Sequence, residues 1–238
     1  MQPKEALPNT HGCIKEGTAE MLNGRYDVFG SAELGDATFK GKYEFPFTPG
    51  VVLKNPPRRV VPFDRLGSLR KGDWLHFYVH DCRFCKFLEK KDHYLKRMVG
   101  AVGFIGIDNS IYCDLPLAEQ IHSCYLNRAV DYCLFKTGRP VVANVSWGDW
   151  RTYEFCFDGI ASECTVAMSS YGCCRSNKEK FRFEDGFVMA AERLRPRSVL
   201  LHGSIWPRLA ELAEYHKVPL FKIPTQREIV YGKEVCHG

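Results

Sequence analysis

The feature that most constrains the fold is a repeated pattern: a short apolar segment rich in β-branched residues, then polar residues, then a segment with helical spacing. Its clearest copy is Gly138–Asp149, where a glycine and a proline precede an apolar run that ends in Ser146, Trp147 and Asp149. Such a segment is typical of a buried strand that delivers polar side chains at its carboxyl end. Similar segments on both sides of it predict an α/β protein.

Strands and helices are predicted to alternate along most of the chain. The predicted strands are Trp74–His80, Ala101–Ile107, Val141–Val145, Thr165–Met168, Ser198–Leu201 and Pro219–Lys222. The predicted helices are Lys86–Met98, Leu117–Lys136, Glu179–Leu194 and Ile205–His216, and Trp150–Phe157 fits a short helix. Because aspartate is favoured at helix N-termini, Asp114 is expected to cap the second of these helices. Alternation of this kind implies crossover connections and a largely parallel sheet.

Six strand–helix units are too many for most small open folds and too few for a complete eight-fold barrel. The pattern therefore favours a barrel-like or partial (β/α) barrel with mostly parallel strands, and a doubly wound open sheet is the alternative. Residues 1–60, rich in glycine, proline and short polar runs, are predicted to form an irregular N-terminal arm with a short hairpin at Thr38–Phe47. Residues 61–224 are predicted to form the α/β domain, and residues 225–238 a C-terminal extension.

Both candidate folds bind ligands at the carboxyl ends of their strands, so the residues there are the candidate site. The candidate catalytic residues are Asp81, Asp108, Asp149 and His202. Grouped carboxyl groups shift one another's proton affinity, which suits them to general acid–base work or to Mg²⁺ binding. The candidate ligand-binding residues are Arg83, Ser110, Asp114, Arg128, Trp147, Ser169 and Gly172. Strand-to-helix loops also use such residues as helix caps, which is the structural alternative.

The formal net charge of +5 is compatible with a polyanionic partner but does not require one. Arg58 and Arg59, which follow two prolines, and Lys90 and Lys91, within the basic segment Lys86–Arg97, are the candidate nucleic-acid contacts. A solvated loop and a solvated helix face are the alternatives for these two segments.

The cysteine content bears on compartment and metal binding. The first twelve residues lack the apolar core of a signal peptide and the chain has no long apolar run, so a cytoplasmic protein without a membrane segment is expected. Its eleven cysteines are then free, metal-bound or reactive and do not form a disulfide framework. The series His80, Cys82, Cys85 and His93 has zinc-like spacing, but no second Cys-x-x-Cys pair accompanies it. A structural zinc ion is therefore not expected, and the cofactor is left open, with Mg²⁺ as the ion that the grouped carboxyl groups would suit.

Several longer segments resemble the domain of unknown function 4417, a family of bacteria, phages and other mobile elements. They are HFYVHDCRF, GIDNSIYCDLPLAEQIHSCYLNRA, GRPVVANVSWGD, EFCFDGI, VAMSSYG and LRPRSVLLHG. The resemblance runs from Asp27 to Phe221. The family pattern has no cysteine at the positions of Cys82 and Cys85, which weakens the zinc interpretation, and it has an aromatic residue where this chain has Asn109. The resemblance implies a phage or mobile-element protein and supplies no activity.

Two functions are consistent with these observations. The first is an enzyme acting on a nucleotide, a nucleic acid or a glycosidic bond, with Asp108 or Asp149 as nucleophile or general base, assisted by Asp81 and His202. The order and endings of the strands are also loosely similar to those of the tRNA-guanine transglycosylase barrels. The second is a non-catalytic protein that binds nucleic acid or a host protein through its basic segments. A structural virion component is a third interpretation, which the polar strand ends disfavour.

Overall fold

The computed structural model describes residues 34–231, and most of the predicted N-terminal arm and the end of the C-terminal extension lie outside the described residues. The described part of the arm begins with the predicted hairpin, in which β1 (Phe39–Lys40) pairs antiparallel with β2 (Phe45–Pro46). Phe45 is buried and packs edge-on against Phe155 of the α/β body. The hairpin is therefore anchored to the core by aromatic burial.

Seven further strands are all parallel to their neighbours. The first sheet has the order β3 (Val60–Pro62), β4 (Trp74–His76), β5 (Gly103–Ile105) and β6 (Val141–Val142). The second has the order β7 (Thr165–Ser169), β8 (Ser198–His202) and β9 (Leu220–Ile223). A parallel bridge between Asn144 and Ala167 joins the two sheets just beyond β6. The strands follow one another in chain order, without the reversal of order that defines a doubly wound sheet.

Side chains alternate along these strands between two environments, as the pleat of a strand requires. One set from both sheets packs into a single inner cluster: Ile105, Val142, Ala167, Leu200 and Ile223. Their chain neighbours pack into the two clusters that contain the helices: Phe104, Val141, Val166, Val199 and Leu201. Strands that are buried on both faces read as continuous apolar runs, which explains why the sequence pattern locates them.

Helices cross between successive parallel strands. They are α1 (Asp81–Glu89), α2 (Lys91–Arg97), α3 (Leu117–Phe135), α4 (Asn177–Leu194) and α5 (Pro207–Tyr215), followed by α6 (Gln226–Tyr231) after the last strand. A 3₁₀ helix covers Phe63–Ser68 and another covers Trp150–Glu154. Among residues 34–231, no helix combines the length and apolar character needed to cross a bilayer. The parallel sheets and the helices between their strands confirm the predicted α/β architecture.

The elements differ from the predicted ones in several places. The predicted helix Lys86–Met98 is two helices, with a break in helical geometry at Lys90. Strand β3 was not predicted, because a three-residue edge strand carries too little periodicity. Helix α6 was predicted only as an extension. The residue that caps α3 is Pro116, and its side chain makes no capping hydrogen bond, so the expected cap by Asp114 is not formed.

A buried ion pair on α3 ties this helix to the sheets. Arg128 donates hydrogen bonds to the carbonyls of Asn144 (3.0 Å), Cys156 (2.9 Å) and Asp158 (3.0 Å). One turn along α3, Asp131 is fully buried, and its Oδ2 lies 3.8 Å from the Arg128 guanidinium with no hydrogen-bond partner among the described residues. Burial raises the pKa of Asp131 to about 7 against the lowering effect of Arg128.

The raised pKa of Asp131 predicts a pH-dependent contribution to stability. Between about pH 4 and 7 the folded protein retains this proton while the unfolded chain releases it, so the free energy of unfolding falls as pH rises. We expect wild type to lose stability relative to Asp131→Asn over this range and the difference to level off above it. Urea unfolding of both proteins at pH 4.5, 6 and 7.5 measures the effect, and parallel curves would contradict it.

The matched control is Asp149→Asn. The hydrogen bonds from Arg151 lower the pKa of Asp149, so its contribution is present at neutral pH and is lost only as the pH falls below its unfolded value. Asp149→Asn is therefore expected to be less stable than wild type by a constant amount from pH 4.5 to 7.5, and the two curves are expected to converge only below about pH 4.

Candidate functional site

A cleft of about 520 Å³ lies at the carboxyl ends of β4 to β8 and is lined by the segments that follow these strands. Each of these strands contributes polar side chains, because the carboxyl ends of parallel strands meet at one edge. The cleft is lined by these predicted site residues: Asp81, Asp108, Ser110, Asp114, Trp147, Ser169, Gly172 and His202. It is also lined by residues that the sequence interpretation did not assign to a site: Tyr78, Tyr112, Cys113, Ser146, Tyr171, Cys173, Arg175, Glu179 and Arg182.

Asp108 presents the first carboxyl group in the cleft. Strand β5 ends three residues before it, and the side-chain amide of Asn144 donates a 2.7 Å hydrogen bond to Asp108 Oδ1. Burial raises the pKa of Asp108 to about 6, with a further contribution from Asp81 and a partial offset from the Asn144 and Ser146 hydrogen bonds. A carboxyl group with this pKa populates both protonation states near neutral pH, which is the property of a general acid or base.

Asp81 presents the second carboxyl group, at the first position of α1. The backbone N–H of Ser110 donates to Asp81 Oδ2 (3.2 Å), and the Ser110 hydroxyl donates to Asp81 Oδ1 (3.0 Å). Both oxygens are therefore oriented by one residue of the loop that also carries Asp108. Asp81, Asp108 and Ser110 thus lie together in the cleft.

Asn144 connects the cleft to the interior. Its side-chain oxygen accepts a hydrogen bond from the Tyr78 hydroxyl (2.9 Å), while its amide nitrogen donates to Asp108. Burial, with a smaller effect from Asp108, raises the pKa of Tyr78 well above its ordinary value, so this hydroxyl keeps its proton. The signal for Asn144 was available in the sequence, since it is a polar residue inside the buried run VVANV, with the same two-residue alternation as Val142.

His202, at the end of β8, belongs to a packed group of rings. It stacks on Tyr78 with 4.8 Å between ring centroids and lies 5.3 Å from His76 of β4. Its Nδ1 is 3.0 Å from the Ser169 hydroxyl. Burial lowers the pKa of His202 to about 4 and that of His76 to about 3. Both imidazoles are therefore neutral at pH 7, so His202 offers a hydrogen-bond donor or acceptor and no positive charge.

The lining of the cleft also supplies cations and aromatic rings. Arg175 and Arg182 line the cleft, and the positive charge of Arg175 contributes to lowering the pKa of Glu179. Arg182 donates to the sulfur of Cys113 at 3.1 Å. Tyr112 and Tyr171 are 54% and 58% exposed although they are large aromatic residues. Exposed rings beside arginines fit a ligand that carries both a flat ring and a negative charge.

Trp147 lines the cleft mainly as a packing residue. Its indole N–H donates to the carbonyl of Arg182 (3.2 Å), and its ring lies 5.2 Å from that of Phe183. A Cβ at Gly186 of α4 would come within 2.1 Å of Trp147 Nε1, so only glycine lets the helix approach the indole this closely. The exposed rings of Tyr112 and Tyr171 are better placed for stacking on a ligand.

Three predicted site residues do not line the cleft. Asp149 caps the 3₁₀ helix Trp150–Glu154 and forms an ion pair with Arg151 (2.9 Å). Arg83 is exposed and lies 3.4 Å from the carboxylate of Asp64. Arg128 is 2% exposed and donates hydrogen bonds to the three backbone carbonyls described above.

The four predicted nucleic-acid contacts differ in their exposure and in their partners. Arg58 and Lys90 are exposed. Arg59 pairs with the buried carboxylate of Asp73 and donates to the carbonyl of Ser68 (3.0 Å). Lys91 is buried at the start of α2. Two of the four cations are thus engaged within the fold.

Among residues 34–231, no group of three or more histidine, cysteine, aspartate or glutamate side chains is arranged to hold a metal ion. The nine cysteines in this part of the chain are free thiols. The two carboxyl groups Asp81 and Asp108 are the residues through which the cleft could contact a Mg²⁺ ion that arrives with a phosphorylated ligand, since Mg²⁺ commonly uses one or two carboxylates and the ligand's own phosphates.

The fold and the cleft define an α/β protein with a polar site at the carboxyl ends of parallel strands. Residues 39–218 match the family described as "Domain of unknown function (DUF4417)", and the chain belongs to that family. The predicted family is therefore confirmed. No solved structure matches the chain.

The relatives are phage proteins. The chain is 28% identical over 202 residues to the Gene 1 protein of Mycobacterium phage L5, which covers 82% of this chain and 85% of that protein. It is 30% identical over 145 residues to the Gene 1 protein of Mycobacterium phage D29, which covers 61% of this chain and 54% of that protein. The match thus spans about half the length of the D29 protein. The predicted link to a phage family is confirmed.

Proposed function

We propose that this protein is an enzyme that acts on a nucleotide, a nucleic acid or a glycosidic bond in the cleft, with Asp108 as its general acid or base. One observation carries the proposal: Asp108 is half-buried in a polar cleft beside a second carboxyl group, and its pKa is raised to about 6. Structural carboxyl groups are usually stabilised in their ionised form, whereas a raised pKa in a cleft is typical of acid–base catalysis.

The substrate class follows from the arginine and tyrosine residues of the cleft. A cleft of about 520 Å³ is within the range of small-molecule sites. Arg175 and Arg182 favour a phosphate or another anion, and Tyr112 and Tyr171 present exposed ring faces. These two properties together fit a nucleotide, either free or within a strand. The N–H groups of Arg175 and Ser176, just before α4, already donate hydrogen bonds to Glu179.

Each residue then has a distinct part in the proposed reaction. Protonated Asp108 gives its proton to a leaving group, and ionised Asp108 takes one from an attacking hydroxyl or water. Asn144 fixes the position of the Asp108 carboxyl group, and Asp81, held through both oxygens by Ser110, is the second carboxyl group at the reacting centre. Neutral His202 accepts or donates one hydrogen bond.

We also infer that the seven parallel strands curl into a partial (β/α) barrel around the inner cluster. Three observations support this. The strands follow chain order across both sheets, and the inner cluster draws residues from β5 to β9. In addition, His76 of β4 contacts His202 of β8, although three strands lie between them in the order. A flat sheet would hold these two strands about 19 Å apart, since neighbouring strands are spaced by about 4.8 Å.

The proposal is tested by incubating the full chain, with and without Mg²⁺, with nucleosides, nucleotides and short oligonucleotides. Released base, sugar or phosphate is separated by chromatography, and binding is followed by thermal shift. We expect turnover of at least one phosphorylated member and tighter binding of nucleotides than of the matching nucleosides, because only nucleotides engage the arginines. The Asp81→Asn/Asp108→Asn double variant is the control without catalytic carboxyl groups. Turnover that survives in this variant would contradict the proposal, and so would an absence of both turnover and binding.

A further inference from the structure

Two adjacent cysteines stand in the loop between β7 and α4, on the wall of the cleft. Cys173 is exposed and lines the cleft, whereas Cys174 is partly buried and packs against the core. Their sulfur atoms are 3.8 Å apart and share a hydrogen bond, and Cys173 Sγ is 3.4 Å from the carbonyl of Ser169. This contact joins an accessible thiol to a shielded one.

We propose that Cys173 and Cys174 form a redox-responsive dithiol, which low-molecular-weight disulfides such as oxidised glutathione convert reversibly to an intramolecular disulfide. Exposure makes Cys173 the thiol that meets the reagent, and proximity makes Cys174 the resolving thiol. The hydrogen bond from Cys174 lowers the pKa of Cys173, and the same bond together with burial raises that of Cys174. The pKa of Cys173 is thus lowered, which suits the thiol that attacks the reagent first, and the pKa of Cys174 is raised, which suits the thiol that attacks second.

The step balances as two thiol–disulfide exchanges. The Cys173 thiolate attacks one sulfur of the reagent, a mixed disulfide forms on Cys173, and the other half leaves as a thiolate that takes up a proton. Cys174 then loses its proton to solvent and attacks the Cys173 sulfur, which releases the second half of the reagent. Two electrons pass from the two cysteines to the reagent, which is reduced to two thiols.

The position of the pair in sequence predicts that the oxidised form is easily reduced. The Cα atoms of adjacent residues are about 3.8 Å apart, which is less than the 4.4–6.8 Å or so of most protein disulfides. Disulfides outside the usual geometry are strained and have more oxidising potentials. Oxidation also removes the S–H group that faces the Ser169 carbonyl. Because the Ser169 hydroxyl contacts His202, the change occurs in the wall of the cleft itself.

The exposed cysteines of α1 provide a comparison within the same chain. Cys82 and Cys85 are both exposed and have Cys-x-x-Cys spacing. However, the Cys85 thiol donates to the backbone carbonyl of Cys82 (3.1 Å). This pair shares accessibility with Cys173 but lacks the thiol–thiol hydrogen bond that links Cys173 to Cys174.

The test treats the reduced full chain with oxidised glutathione at neutral pH, blocks the remaining thiols with N-ethylmaleimide and analyses proteolytic peptides by mass spectrometry. We expect the peptide that contains Cys173 and Cys174 to lose two hydrogen atoms and to gain no maleimide at either residue. Dithiothreitol should restore both alkylation sites. Cys174→Ser should accumulate one glutathione on Cys173, because no resolving thiol follows, and Cys173→Ser should form neither product.

Cys82→Ser/Cys85→Ser is the matched control and should react at the pair as wild type does. Far-UV circular dichroism of each variant separates loss of reaction from loss of fold, and the serine replacements are expected to leave the spectrum unchanged because each replaces one side-chain atom at an exposed or partly buried position. The proposal is overturned if, in wild type, oxidised glutathione has reacted with Cys82 or Cys85 while N-ethylmaleimide still alkylates both Cys173 and Cys174. It is equally overturned if Cys174→Ser holds no more glutathione than wild type.

Discussion

Replacing Arg128 with methionine is expected to lower the free energy of unfolding by about 3 to 5 kcal/mol, the usual cost of removing one partner from a buried ion pair. The guanidinium supplies hydrogen bonds to three backbone carbonyls, and each would be left in the interior without that donor. Asp131 would lose the only cation that contacts it among the described residues. Methionine keeps most of the side-chain volume, so the loss reports on polar interactions and not on a cavity.

Urea unfolding at pH 7 measures this effect, and Arg151→Met is the matched control. Arg151 also pairs with an aspartate, but its side chain is 40% exposed, so its loss is expected to cost about 1 kcal/mol or less. If both variants shifted the midpoint equally, the assignment of Arg128 to the interior network would be wrong. A folded Arg128→Met protein with normal stability and impaired ligand binding would instead support the role in ligand binding that the sequence suggested.

The part of the fold that was predictable is the part that residue periodicity encodes. Strands β5 to β8 are buried on both faces, so each appears as an apolar run, and α3 and α4 have apolar residues at helical spacing. Strand β3 and the break at Lys90 are not encoded in this way, because they depend on what the segment packs against. The connection between the two sheets rests on one bridge at Asn144, which no local pattern could reveal.

The candidate site was predictable in location but less so in composition. The rule that ligands bind at the carboxyl ends of parallel strands selected eight residues that line the cleft. The same rule cannot distinguish a polar residue that faces the cleft from one that caps a helix, and Asp149 is a cap. It also does not find residues contributed by helix starts, such as Arg175 and Arg182, since these lie after the strand ends by six and thirteen residues.

Asp108→Asn is expected to reduce kcat/KM by about 10²- to 10⁴-fold on whichever substrate the panel identifies, the range for loss of a general acid or base. Asparagine keeps the shape of the side chain and an oxygen that accepts the hydrogen bond from Asn144. The variant is therefore expected to fold normally. Since the raised pKa means that ionised Asp108 disfavours the folded state, the variant should be at least as stable as wild type at pH 8.

Steady-state kinetics between pH 5 and 8 supply the decisive comparison. In wild type, the pH profile of kcat/KM should change slope near pH 6, because Asp108 changes its protonation state there. The pH profile of the residual activity of Asp108→Asn should lack this change. Asp149→Asn changes the same functional group outside the cleft lining and should retain most of the activity. If the two variants lost activity to the same extent, or if Asp108→Asn lost stability in proportion to its activity, Asp108 would have a structural role and the catalytic assignment would fail.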